Sequence, residues 1–183
     1  RGWWMMRMFG HDRVSVLDGG LAAWRAIEGP LVAGGEGSRK EGNFVTRPSS
    51  GAGVIDFTAI VSLLGDGLPE QIIDARAAAR FAGKMPEPRA GLRAGHIPGS
   101  KNLPFNELLD ENGKFLPPDK LQQRFEDAGV DTGQPAITSC GSGVTACVLA
   151  LGLSLVGNDD VSVYDGSWTE WGATSAPIAT GEN

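Results

Sequence analysis

Cys140 opens the run SCGSGVTAC (139–147), in which small residues, two of them glycine, lead straight into an apolar helical pattern. A cysteine attacks as the thiolate, and its free pKa of ~8.5 leaves only a few per cent ionised at neutral pH. Lowering that value to about 6.5 takes roughly 2.7 kcal/mol in favour of the anion. A helix N-terminus contributes about 0.3–1 kcal/mol, and hydrogen bonds to the charged form about 1.5–3 kcal/mol each. Gly141 and Gly143 suit that need, because backbone without side chains can wrap around one point and turn successive N–H groups toward it. Ser142 and Thr145 add hydroxyls, and Thr145 is also placed to cap the helix. The opposing reading is that Cys140 is a small buried hydrophobe, as free cysteines often are, and residue chemistry alone leaves both open. Cys147, the second and last cysteine, lies inside the apolar run and reads as core. With 144–155 helical, the two would stand about 10 Å apart along the axis, beyond disulfide reach.

A reactive loop needs a scaffold that fixes its position. DFTAIVSLL (56–64) predicts a helix with Asp56 as N-cap, and QIID (71–74) a buried strand followed by a short helical turn. PEPRAGLRAGHIPGS (86–100) is a Pro/Gly loop and KNLP a short strand. PPDKLQQRFEDAGV predicts a helix at 118–128 closed by Gly129. PAITSC is an apolar strand running into the cysteine loop, 144–155 a helix and VSVYDG the next strand. Strands alternating with helices define an α/β fold with a mainly parallel sheet flanked by helices. Ligands bind at the carboxyl ends of such strands, and Cys140 falls at one.

Composition narrows the chemistry further. The net charge of −6 among 183 residues argues against a nucleic-acid partner, since a polyanion needs a basic surface. Two cysteines without a CxxC and two histidines make neither a disulfide scaffold nor a zinc site, so no metal is expected. No stretch reaches the roughly 20 apolar residues of a membrane span, and reduced thiols suit a cytoplasmic setting.

GHDRVSVLDGGLAAW (10–24) and GNDDVSVYDGSWTEW (157–171) match without a gap at an offset of 147. A repeat of this length implies a duplicated domain. Residues 1–28 then read as the C-terminal remnant of a first copy, with a helix at 2–9, a strand at 14–17 and a helix at 20–27. Residues 29–53 have linker composition, 54–177 form the intact copy and 178–183 a tail. Trp3, Trp4, Met5 and Phe9 are expected to be exposed in such a remnant and to favour association.

CGSGVTA, DGSWTEW, GHIPGSKNLPF and DARAAARFAG followed by PEPR together resemble the rhodanese superfamily, within it the two-domain branch that uses 3-mercaptopyruvate. The resemblance spans nearly the whole chain. It implies a nucleophile at Cys140 that takes sulfur from 3-mercaptopyruvate, releases pyruvate and holds a persulfide for a thiol acceptor such as thioredoxin or glutathione, or for cyanide. It implies that Cys140, Gly141, Ser142, Gly143, Val144 and Thr145 present backbone amides to that sulfur, that Ser142 assists proton transfer, and that Arg80 and Arg89 hold the substrate carboxylate. It implies no metal or organic cofactor.

Residue chemistry supports these roles unevenly. Arg80 and Arg89 could equally be surface or ion-pair arginines, although a planar fork suits an α-keto carboxylate. Asp74 reads as ordering its turn or pairing with Arg76, His96 as bracing a loop, and Trp168 and Trp171 as packing. Relatives that use thiosulfate carry basic residues after the cysteine; Gly141-Ser142-Gly143 is uncharged and favours the carboxylate donor. A Cys-x5-Arg phosphatase is disfavoured because the sixth residue after Cys140 is Ala146. The remaining alternatives are thiosulfate sulfurtransfer and a non-catalytic sulfur-relay or binding module.

Overall fold

Alternate residues along the central strands enter different cores, which is how a parallel sheet buries both faces. The computed structural model describes residues 1–35, 40–47, 52–66 and 71–181. Its strands are β1 (Ala52–Ile55), β2 (Gln71–Asp74), β3 (Lys101–Asn102), β4 (Ala136–Ser139) and β5 (Val161–Tyr164). They pair in parallel in the order β1-β5-β4-β2-β3. Ile73, Ala136, Val161 and Val163 pack on one face with Leu121 and Phe125 of α5 (Pro118–Asp127) and with Leu149 and Leu153 of α6 (Ala146–Leu155). Ile72, Ile137 and Tyr164 pack on the other with Ile60 of α3 (Phe57–Asp66) and with Trp168 and Trp171 of α7 (Ser167–Trp171). A further short helix, α4 (Ala78–Phe81), follows β2.

The helix starting after Asp56 is capped as expected, with the Ala59 N–H donating to Asp56 Oδ1 at 2.9 Å. β1 was not foreseen, and it takes in Ala52 and Gly53, two residues assigned to the linker. Four residues inside Gly-rich sequence carry little strand signal; pairing with β5 makes them a strand. Of the expected linker, residues 36–39 and 48–51 lie outside the described residues, as do 182–183 of the expected tail. The rest of that tail folds back: Ala179 and His96 exchange backbone hydrogen bonds of 3.0 and 2.9 Å.

The N-terminal segment forms two helices, α1 (Gly2–Met8) and α2 (Gly20–Ala26), close to the expected ranges. Contrary to expectation, residues 14–17 are not a strand; Val16 and Leu17 are exposed and the segment pairs with no described strand. The expectation of an exposed Trp4 is also overturned. Trp4 is 3% exposed within the core beside α6 and donates its indole N–H to the Gly53 carbonyl at 3.1 Å, so α1 covers β1. Met5 and Phe9 remain exposed. Arg7 ties the same helix down by reaching Asp159 at 2.9 Å, and this bond, with a second from Ser154, holds the Asp159 carboxyl below its ordinary range.

Replacing Trp4 with alanine should therefore lower the unfolding free energy by about 3–5 kcal/mol, the range for a buried aromatic. Urea denaturation measures this, and a loss below about 1 kcal/mol would show that α1 rests on the sheet without contributing to it.

Candidate active site

The end of β4 delivers Cys140 into a loop whose shape depends on β5. As the chain leaves β5 it turns at Ser167, a non-glycine residue at φ 50 that is fully buried. The Ser167 hydroxyl donates to the Tyr164 carbonyl at 2.7 Å and accepts the N–H groups of Cys140 at 3.1 Å and Gly143 at 3.0 Å. From α7, the Trp168 and Thr169 N–H groups donate to the carbonyls of Cys140 and Gly141 at 2.9 and 3.0 Å. Gly143 cannot be replaced in this arrangement: at φ 73 a Cβ would lie 2.5 Å from the Asp165 carbonyl.

The resulting loop opens on a pocket of about 350 Å³. Cys140, Gly141, Ser142, Val144, Thr145, Arg80 and Arg89 all line it; Gly143 is buried and does not. Cys140 is 1% exposed, and its Sγ accepts the Ser142 N–H at 3.4 Å, with the Ser167 hydroxyl 4.0 Å away. Among the described residues the N–H groups of Gly141, Val144 and Thr145 have no protein acceptor, and all three residues line the pocket. Thr145 occupies the N-cap position of α6 but makes no side-chain cap bond.

The cationic wall rests on carboxylates the sequence reading did not single out for function. Arg76 uses four of its five N–H donors: it bonds Asp74 through Nε and Nη2, Glu87 through Nη1 at 2.8 Å and the Gly95 carbonyl through Nη2 at 2.8 Å. Its guanidinium also lies 4.3 Å from the centre of the Trp168 ring. Glu87, its side chain 2% exposed, bridges the two arginines: Oε1 accepts from Arg76 Nη1 at 2.8 Å and from Arg80 Nε at 3.3 Å, and Oε2 accepts from Arg80 Nη2. Arg80 in turn lies against the loop, 3.1 Å from where a Gly141 Cβ would stand. Arg89 is held differently, by the neutral Thr169 hydroxyl, which itself donates to the Gly141 carbonyl at 2.5 Å.

The remaining sequence candidates have structural partners. Asp74 pairs with Arg76. His96 stacks on Phe81 at 3.7 Å and contacts the Phe81 carbonyl through Nδ1 at 2.9 Å. Trp168 donates to the Arg93 carbonyl at 2.9 Å. Cys147 is a free, buried thiol whose Sγ donates to the Gly143 carbonyl at 3.4 Å, and burial pushes its pKa up. Arg76, Glu87, Ser167 and Thr169 complete the site. Glu87 lies within PEPR and Ser167 and Thr169 within DGSWTEW, so the signal available was membership of the same motifs as the candidates.

Residues 58–174 match the family described as the Rhodanese-like domain. The chain is 44% identical over 179 residues to 3-mercaptopyruvate sulfurtransferase of Rattus norvegicus and 42% identical over 178 residues to thiosulfate sulfurtransferase of the same organism. Each alignment covers 97% of this chain and 59% of the relative, so the chain spans little more than half the length of these curated relatives. The crystal structure of SseA from Escherichia coli superposes with a TM-score of 0.76 at 41% identity, covering 92% of this chain and 61% of that one.

Two outcomes follow from the geometry. Ser167→Ala strands two buried N–H groups and should cost about 2 kcal/mol or more. Ser167→Gly, which relieves the left-handed turn yet still lacks the hydroxyl, should recover only part of that loss in thermal unfolding. Separately, burial raises the Cys147 pKa and holds the thiol neutral in the folded state, so its contribution to stability is complete below the ordinary thiol range and falls as pH rises through that range. The decline in stability at alkaline pH, from about 8.5 upward, should be shallower in Cys147→Ala, and an unchanged slope would refute the assignment.

Proposed function

This chain belongs to the rhodanese family, and from that premise we propose that it moves sulfane sulfur from 3-mercaptopyruvate to a thiol or cyanide through a persulfide on Cys140. The Cys140 thiolate attacks the donor sulfur and the carbon–sulfur bond breaks. The electron pair stays on carbon as the enolate of pyruvate, which takes up a proton with assistance from Ser142. The enolate carbon is reduced and the sulfur, now bonded to sulfur, is oxidised, so no external redox partner is needed. A thiol acceptor such as thioredoxin or glutathione then attacks the outer sulfur and leaves with it, regenerating the thiolate; cyanide does the same and leaves as thiocyanate.

The observation that carries this reading is that Cys140, Arg80, Arg89 and the loop residues whose amides lack a protein acceptor all line a single small pocket. Arg80 and Arg89 bind the donor carboxylate by charge-assisted hydrogen bonds. The amides of Gly141, Val144 and Thr145, with that of Ser142, take the negative sulfur, a preorganised arrangement that needs no movement as charge develops. The N-terminal end of α6 adds to the same field. Two unpaired thiols accord with a reducing, cytoplasmic location as part of the same proposal, and no described helix is long and apolar enough to cross a membrane.

Residues 1–28 belong, on this proposal, to a second unit of the same kind, joined to the 54–177 unit through the 29–53 segment. Repeat-related positions support it. Met6, Val16, Leu17 and Leu21 are exposed, whereas Leu153, Val163, Tyr164 and Trp168, 147 residues later, are buried in the core. Side chains of core type left on the outside mark a face that another part of such a unit covers.

Incubation with 3-mercaptopyruvate should add one sulfur atom to Cys140, seen by intact mass and peptide mapping, removed by reductant and absent in Cys140→Ser. A protein that gains no sulfur from this donor ends the proposal. Arg89→Gln should raise the KM for the donor about tenfold, the order expected for one charge-assisted contact, while barely altering alkylation of Cys140 by a neutral reagent.

A further inference from the structure

The charged side chains around the pocket do not simply add up to a basic patch. Arg76 and Asp74 form a buried pair, their side chains 1% and 4% exposed. Arg80 is matched by both oxygens of Glu87, of which Oε1 also accepts from Arg76. Arg89 alone is held by a neutral group, Thr169, and among the described residues it has no carboxylate partner. Three guanidiniums thus stand against two carboxylates. A single positive charge is left uncompensated, and it sits on the exposed arginine at the rim.

We propose that Glu87 is a specificity-determining residue: by cancelling the charge of Arg80 it leaves the wall that faces the Cys140 thiolate only one net positive charge and so selects a monoanionic sulfur donor over a dianionic one. This inference rests on the sulfurtransferase reading above and deepens it by naming the class of donor. A 3-mercaptopyruvate molecule carries one carboxylate charge while its thiol is protonated, whereas thiosulfate carries two. A dianion entering this pocket brings a second negative charge that the wall does not match, beside a buried carboxylate and the Cys140 thiolate, and like charge in a partly desolvated site is costly. The neutral loop residues after Cys140 supply hydrogen bonds but no second cation. Nor does Glu87 act by shape alone, because a buried carboxylate that serves two guanidiniums fixes the direction of the Arg80 fork and its charge together.

The test compares kcat/KM for 3-mercaptopyruvate and thiosulfate, with a common thiol acceptor, in the wild type, in Glu87→Gln and in Glu87→Asp. Removing the charge should raise the thiosulfate to 3-mercaptopyruvate ratio by about fivefold or more, the order for one added charge at a partly screened wall, and increased salt should erode the gain. Glu87→Asp, which keeps the charge, should leave the ratio within about twofold. A folded Glu87→Gln that loads Cys140 with an unmoved ratio overturns the inference. So does a Glu87→Asp that shifts the ratio as far as Glu87→Gln, since that would trace the effect to shape.

A second measurement needs no variant and no turnover. Pyruvate, a monoanion, should protect Cys140 of the wild type from a neutral alkylating reagent at a concentration at least about tenfold below that of sulfate, a dianion. Equal or better protection by sulfate counts against the charge assignment. A wild type that takes sulfur from neither donor would instead break the sulfurtransferase reading, and the protection experiment would still decide the charge of the pocket.

Discussion

One hydroxyl group holds the two halves of the site in register. Ser167 Oγ accepts the N–H groups of Cys140 and Gly143 and donates to the Tyr164 carbonyl, so the exit of β4 and the exit of β5 meet at a single atom. Without it, the loop after Cys140 would have two buried amides unsatisfied, each costing about 1–3 kcal/mol. The left-handed turn at Ser167 costs roughly 1–2 kcal/mol for a residue with a Cβ. Glycine would avoid that cost but would not supply the hydroxyl. The balance explains a serine at a position where backbone conformation alone favours glycine. With the amides of Cys140 and Gly143 held on either side, that of Ser142 between them faces the sulfur.

The ion network on the facing wall follows a related economy of donors. Burying Arg76 and Glu87 removes two charges from water, which is repaid only where nearly every donor and lone pair finds a partner. Arg76 meets that condition through two carboxylates, a carbonyl and the face of Trp168. Its role is to stand still. Arg80, a quarter exposed, can then face the pocket from a fixed origin, and its contact with Gly141 couples the guanidinium to the cysteine loop. Trp168 joins the two systems, since its ring supports Arg76 while its backbone N–H holds the Cys140 carbonyl.

Much of this was legible in the residues alone. The position of Cys140 at a strand's carboxyl end followed from PAITSC running into glycines, and the core role of Cys147 from the apolar helix around it. Pairing of Asp74 with Arg76 and the bracing role of His96 were also readable, because a charge two residues from its opposite and a histidine between glycine and proline have few other uses. Glu87 and Ser167 were not. A glutamate in a proline loop and a serine after Asp-Gly look like ordinary turn residues, and their function appears only once β2, β4 and β5 bring distant segments together. The short strand β1 was hidden for the same reason, since its partner β5 lies more than a hundred residues away in the chain.

The internal repeat separates what neighbours decide from what the local chain decides. Gly10 and Gly157 both take positive φ, 81 and 92, and Gly20 and Ser167 do so at 58 and 50. The Trp24 and Trp171 indoles each donate to the carbonyl of the proline six residues on, at 3.1 and 2.9 Å. Turns, helix starts and this indole bond therefore form in both copies, because their partners lie within a few residues. The strand does not. Val161–Tyr164 pairs with β1 on one side and β4 on the other, whereas residues 14–17 carry nearly the same side chains with no described strand beside them and remain unpaired. A parallel strand gains its hydrogen bonds only from neighbours, so Val-Ser-Val encodes a readiness to pair that the surrounding sheet must complete. The same dependence governs the cysteine loop: its composition is local, but its geometry comes from the serine that β5 carries to it.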